Sequence, residues 1–314
     1  MIRMAYLDDQ NLQNRLIREY QRIIITNQLE DNWENAKEKY NVLNNLPFTL
    51  RQIVVGKFST LIRVYNKFDE IMSDLEVNTQ NDIKTYLRDE VFKYKGSIHD
   101  KDIAPFFRKY ASELKIHTCH YCDMAYINVY KYEDDNEKVE KSHFDLDHVI
   151  ERSSCPLLSL SLFNLVPSCQ VCNSRIKYQK GLSKDKYLLN KFSPTSSGFS
   201  FDESVVIELY PKEEKIKPYM SNRDAYQIHF NCQKDEDYKE YVKTLHLQER
   251  YEYHKVEALR LKDLQEKYPP ANIEYISNLL GIPREEVKED LFGEKFADKE
   301  HRCFKKLRRD ILKY

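Results

Sequence analysis

Two pairs of cysteines, Cys119-x-x-Cys122 and Cys169-x-x-Cys172, are the residues of this sequence most plainly spaced for chemistry. Each C-x-x-C spacing makes a tight knuckle that offers two thiolates to one ion, and four thiolates complete the closed tetrahedral shell of a structural zinc. Such an ion has no open position and does no chemistry. It replaces a core too small to hold a hairpin and a helix together. Seven cysteines are an odd number for a disulfide framework, and the other three, Cys155, Cys232 and Cys303, read as isolated buried thiols.

The material between the two pairs gives the reading its direction. It runs Phe144-Asp145-Leu146-Asp147-His148-Val149-Ile150, then Asn164-Leu165-Val166-Pro167, then Cys169-Gln170-Val171-Cys172-Asn173. In this order and frame, over residues 115–182, these residues resemble the HNH nuclease family. There a D-H dipeptide ends the second strand, an asparagine precedes the second knuckle, and a His or Asn follows the last cysteine at the start of a helix.

The resemblance implies a ββα-metal, treble-clef module in which Asp147 and Asn173 bind a catalytic divalent ion, His148 is the general base and Asn164 orients it. The chemistry is coherent. Phosphodiester hydrolysis needs an activated water and a means of absorbing negative charge as the sugar oxygen leaves; a neutral imidazole supplies the first and a hard cation the second. Carboxylate and amide oxygens suit Mg²⁺ or Mn²⁺. The family often carries a Lys three residues after the final metal-binding position. Here Ile176 stands there, flanked by Arg175 and Lys177.

The helix exit, SRIKYQKGLSKDKYLLNK, is rich in lysine and arginine. Arg175, Lys177 and Lys180 therefore form a local cationic strip able to grip a phosphate backbone. His143, Asp145 and Glu151 are explained equally well by a strand edge facing water. His117 and His120 flank the first knuckle and read as surface groups or groups that support the zinc ligands. His246 and His254 lack any nearby carboxylate pattern, and the 23 tyrosines read as core and interface material, not as a base-stacking platform.

The positioning elements follow from periodicity. Residues 1–112 place apolar side chains three and four apart (LQNRLIREYQRIII, FSTLIRVYNKFDEIM), as a helical domain would, with breaks near Asn44 to Pro47 and near Gly96. DIAPFFRKYASELK reads as one amphipathic helix leading into the first knuckle. In the module, 113–192, AYINVYKY and SHFDLDHVI read as two strands of a hairpin around the polar turn EDDNEK. From Lys191, KFSPTSSGFSFDES has linker composition. The region 193–314 adds two short strand candidates, VVIELY and YQIHF, then helix over DYKEYVKTLHLQERYEYHKVEALRLKDLQEKY and after Pro269 and Pro283. The expected class is α+β, predominantly helical around a central zinc module.

Charged residues make up 32% of the 314 and nearly cancel to a formal −1, so any attraction to a polyanion is local. A mean hydropathy of −0.72, no long apolar run and no signal-type start predict a cytoplasmic protein without a membrane span. The expected substrate is DNA, with RNA open. The alternative is a noncatalytic zinc-stabilised module that binds nucleic acid or protein. The helical flanks, without a phosphate-binding glycine loop, leave room for a partner subunit. In layout the chain resembles, more distantly, HNH effectors of bacterial antiphage defence such as the Septu nuclease, which implies a partner ATPase.

Overall fold

The apolar spacing of the first hundred residues produces the helices it predicts. In α1 (Gln10–Ile24), Leu12, Leu16, Tyr20 and Ile24 are buried along one face. Asp9 caps it, its Oδ1 accepting from the backbone N–H groups of Asn11 and Leu12 at 2.9 and 3.0 Å. Next come α2 (Asn27–Lys39), a 3-10 turn at Asn41–Asn45, α3 (Leu50–Val55), α4 (Phe58–Ser73) and α5 (Val77–Tyr86). A reciprocal Thr49–Gln52 capping box opens α3. Gly96 takes the left-handed φ of 86° that its break requires.

This computed structural model describes residues 1–314 except 97, 135–136, 179–180, 213–222, 293–301 and 313–314; the side chains of 134 and 137 also lie outside the description. The chain divides into two compact units. One comprises Ile2–Tyr121 with Ile127–Ser200; the other comprises Phe201–Tyr314 with Met1 and Cys122–Tyr126. The divisions expected at 112/113 and 192/193 are sequence boundaries, whereas contact groups the first helices with most of the cysteine-flanked segment.

In the first unit the helix expected over DIAPFFRKYASELK is shorter. A π-helical turn, His99–Ile103, runs into α6 (Ala104–Lys109), and the chain then proceeds in turns, with Lys115 at φ 55°. The strand pairing also differs from the expected hairpin. AYINVYKY supplies β1 (Val129–Asp134), which pairs with β2 (Glu137–Ser142), Tyr130 opposite Lys141. The Asp-His segment is instead β3 (Asp145–His148), antiparallel to β4 (Leu165–Ser168), with Asp147 opposite Val166 and His148 opposite Leu165. Pro167 is accommodated because a two-stranded ladder leaves each strand an open edge on which a missing N–H costs nothing.

The stretch read as a linker is packed. After α7 (Lys186–Phe192), Ser193, Pro194, Thr195 and Ser196 are buried. Their hydroxyls satisfy one another and the backbone: Ser193 and Thr195 share a bond of 2.7 Å, and Thr195 Oγ1 donates to Phe163 O. Composition suggested exposure; local hydrogen bonding removes the need for water.

The second unit holds α8 (Phe201–Ser204), the β5 (Val206–Pro211)/β6 (Tyr226–Asn231) hairpin at both predicted strands, and a set of helices. The long helical run is in three pieces: α9 (Tyr238–Thr244), α10 (Leu247–Tyr253) and α11 (Lys255–Lys267). His246, at φ 48°, makes the first break. Residues two apart point to roughly opposite sides of a continuous helix, so burying both Leu245 and Leu247 completely requires the interruption. Then come α12 (Pro270–Leu280), α13 (Arg284–Leu291) and α14 (Lys305–Leu312), whose core gathers Leu261, Ile273, Val287, Phe292 and Leu312. The architecture is thus α+β, mostly helical with two-stranded sheets. Among the described residues no helix is long and apolar enough to cross a membrane.

Candidate functional site

The four cysteines of the two knuckles converge. Their sulfurs all lie within 4.8 Å of one another, all four residues are buried, and the group could hold a metal ion. The backbone N–H of Cys169 donates to Cys119 Sγ at 3.3 Å, the kind of contact that stabilises a thiolate. His120 is no ligand in this group. Its Nδ1 bonds to Ile2 O at 2.8 Å, and burial pushes its pKa down to about 4. Cys155 and Cys232 are buried as expected, and burial raises both thiol pKa values; Cys303 is only half-buried.

His148 closes β3 and lines a cleft of about 1480 Å³. Its Nε2 lies 2.8 Å from the carbonyl oxygen of Ser159 and must donate to it, so the neutral ring keeps its lone pair on Nδ1. Nδ1 has no hydrogen-bond partner among the described residues. The ring packs edge-on against Tyr94, centroids 4.4 Å apart, and Arg152 lies over the same tyrosine at 4.9 Å. Burial, then the Arg152 charge, push the His148 pKa down to about 3. The imidazole is therefore neutral at every pH near 7.

Asn164 does not touch that ring. Fully buried, it staples the loop between β3 and β4: its Oδ1 accepts from Ile150 N at 2.7 Å, and its Nδ2 donates to Ile150 O and Leu158 O, each at 3.0 Å. The next residue is Ser159, whose carbonyl holds the imidazole. Asn164 thus acts on His148 through the backbone, one step removed from the direct contact the sequence suggested.

The expected divalent-ion ligands line the same cleft, but each is engaged by another side chain. Asp147 is buried and accepts the Tyr121 hydroxyl on Oδ2 at 2.7 Å. The ammonium of Lys177 reaches Asp147 Oδ1 at 2.9 Å, Oδ2 at 2.7 Å and His148 O at 2.6 Å. Asn173 turns its Nδ2 to Asp145 Oδ2 at 3.1 Å. Outside the four cysteines, no three His, Cys, Asp or Glu side chains converge as a metal site among the described residues. The residues present do not fit a divalent ion held by Asp147 and Asn173.

Lys177 also leaves the expected phosphate-binding strip. Residues Val171–Lys177 form a π-helical segment, in which Tyr178 N reaches back to Asn173 O, and the wider turn carries Lys177 inward. Arg175 is exposed as expected, and Lys180 lies outside the described residues. Glu151 accepts from Gly181 N, a structural tie across the helix exit.

Sequence reasoning missed the opposite wall of the cleft. Arg88, Lys93, Tyr94, Lys95 and Arg108 come from the helical N-terminal region, and Lys141 from β2. Arg88 is neutralised by Asp89 at 2.7 Å, whereas no carboxylate pairs with Arg152 among the described residues. The only available signal was local, Arg152 lying four residues after His148; the Tyr94 contact spans fifty-odd residues and has no sequence signature. The chain matches no protein-family model, no curated protein and no solved structure with which it was compared.

Proposed function

We propose that the protein is an HNH-type nuclease that hydrolyses phosphodiester bonds, most naturally in DNA, at the cleft around His148, beside a structural zinc held by Cys119, Cys122, Cys169 and Cys172. The observation that carries this reading is the geometry at His148: an imidazole locked in one tautomer by the Ser159 carbonyl, its Nδ1 lone pair without a hydrogen-bond partner among the described residues, next to the Arg152 guanidinium, which no carboxylate among them neutralises.

In this reading a water molecule donates its proton to Nδ1 as its oxygen attacks phosphorus. The P–O bond to the sugar breaks, and the departing oxygen takes a proton from the imidazolium or from solvent. Arg152, preset over Tyr94, matches two phosphate oxygens with its fork and offsets the charge that grows on them. Lys95 and Lys141 extend the cationic lining along the substrate backbone, whereas Lys93 is paired with Glu90 at 3.1 Å. A regulatory subunit belongs to the same reading: Tyr275, Leu279 and Leu280 on α12 are each more than 60% exposed, an apolar strip suited to a protein partner.

The test is cleavage of plasmid DNA, single-stranded DNA and RNA by wild type and His148→Ala. Loss of about 10²-fold or more in the variant is expected. Equal cleavage by both proteins, or none by wild type on any substrate, sinks the proposal and favours a noncatalytic zinc module.

A further inference from the structure

We propose that Lys177 is the resident cation of this site: its ammonium takes the place at Asp147 that a divalent ion would take, and the hydrolysis at His148 runs without such an ion. The inference rests on the nuclease reading for its second half only; the first half concerns Asp147 and Lys177 alone.

Three observations carry it. The first is the pairing. The Lys177 ammonium lies against both carboxylate oxygens of Asp147 and against the His148 carbonyl, between 2.6 and 2.9 Å. The pair is buried, the side chains only 5% and 7% exposed. A buried pair of this kind resists opening, because removing either member strands a charge away from water.

The second is the donor set. Mg²⁺ and Mn²⁺ seek about six oxygens in a near-octahedral shell. Asp147 already has its oxygens engaged by Lys177 and the Tyr121 hydroxyl. Asn173, the other expected ligand, has its amide nitrogen bonded to Asp145, so at most its Oδ1 is left for a cation. Asp145 is in turn engaged by Asn173 and is not added to Asp147.

The third is position. Lys177 binds the backbone carbonyl of His148 itself, so the positive charge sits one residue from the imidazole. It also fixes the end of β3 on which the ring is carried. Lys177 is therefore a positioning residue, holding His148 through its main chain and supplying the charge balance that a bound ion supplies elsewhere. Charge on the reacting phosphate falls to Arg152, which does not share the Asp147 carboxylate.

The experiment uses the full-length, zinc-containing protein and Mn²⁺ as the probe, followed by the loss of free-ion electron paramagnetic resonance signal. Wild type, Asp147→Asn and Lys177→Met are compared, with zinc content measured in each. Cleavage is assayed in buffer freed of Mg²⁺ and Mn²⁺ by a chelating resin. Wild type is expected to bind Mn²⁺ no better than Asp147→Asn, and Lys177→Met at least about tenfold more tightly than wild type, since an uncompensated buried carboxylate seeks a cation. Wild-type cleavage is expected to change less than about twofold on adding Mg²⁺. Mn²⁺ binding by wild type that Asp147→Asn abolishes, or cleavage that needs added Mg²⁺ or Mn²⁺, overturns the inference. If Lys177→Met does not fold, the comparison of wild type with Asp147→Asn still decides it. If wild type cuts no nucleic acid at all, the nuclease reading fails while the Mn²⁺ titrations still judge the role of Lys177.

Discussion

The four-cysteine cluster and the Asp147–Lys177 pair both bury groups that carry charge, and they balance it in opposite ways. The cysteines bring four sulfurs within 4.8 Å of one another, a group that could hold a metal ion. Asp147 is reconciled from inside the chain by an ammonium with three oxygen partners. In the reading proposed above, the first site is completed by an ion and the second is complete as folded. An acidic residue at a familiar sequence position therefore does not by itself define a metal site; the cation nearest to it decides.

That contrast can be attacked directly. The largest effect is expected from Cys172→Ser, which removes one of four ligands. Zinc content should fall, and the cooperative unfolding transition followed by near-ultraviolet circular dichroism should be lost, since structural zinc supplies folding free energy of about 10 kcal/mol or more in small modules. A variant that keeps both its zinc and its transition breaks the comparison on the cysteine side.

Lys177→Ala should come next, costing about 3–5 kcal/mol in urea unfolding, whereas the double replacement Asp147→Leu/Lys177→Met should cost much less than either single change suggests. Additive losses would mean that the two side chains do not act as a pair. Asn164→Ala removes three buried hydrogen bonds and should destabilise by about 2–3 kcal/mol. Any surviving cleavage should show a reduced kcat, because the loop that holds Ser159 is loosened.

The effect of pH is a slope. His148 has a folded pKa of about 3 against an ordinary 6.5, so below pH 6.5 the unfolded chain takes up a proton that the folded chain refuses. Stability should fall by up to about 1.4 kcal/mol for each pH unit between 6.5 and 3, and His148→Gln should flatten this part of the curve. The cysteine cluster predicts a separate loss at low pH that appears together with zinc release, so measuring zinc and unfolding in the same samples separates the two regions.

What was legible in the sequence was local. Two cysteines three residues apart announce their knuckle, and an Asp-His pair in an alternating segment announces the end of a strand. The apolar spacing of Leu12, Leu16, Tyr20 and Ile24 announces α1. Features that depend on chain reversal were not legible. The partner of β3 is Leu165–Ser168 and not the neighbouring AYINVYKY, because the loop stapled by Asn164 folds back further along the chain. Lys177 faces inward because its helix is wound with π geometry, which a 3.6-residue pattern does not anticipate. Tyr94 reaches the imidazole from the helical N-terminal region, where nothing in its neighbours marks it. The tyrosines divide: Tyr6, Tyr20 and Tyr121 are core as expected, while Tyr130 and Tyr132 stack on the β1–β2 ribbon with their rings 6.0 Å apart and partly exposed.

The carbonyl of Ser159 that fixes the His148 tautomer belongs to the main chain and not to a side chain. Every residue type presents the same oxygen there, so what matters is where the peptide is held; the Ser159 side chain, fully buried with its hydroxyl donating to Pro156 O at 2.7 Å, is one of the groups that hold it. Sensitivity moves instead to the groups that hold that peptide in place, Asn164 above all. Substitutions that cripple the imidazole should thus cluster along the hydrogen bonds of a loop, at positions whose side chains never touch the ring.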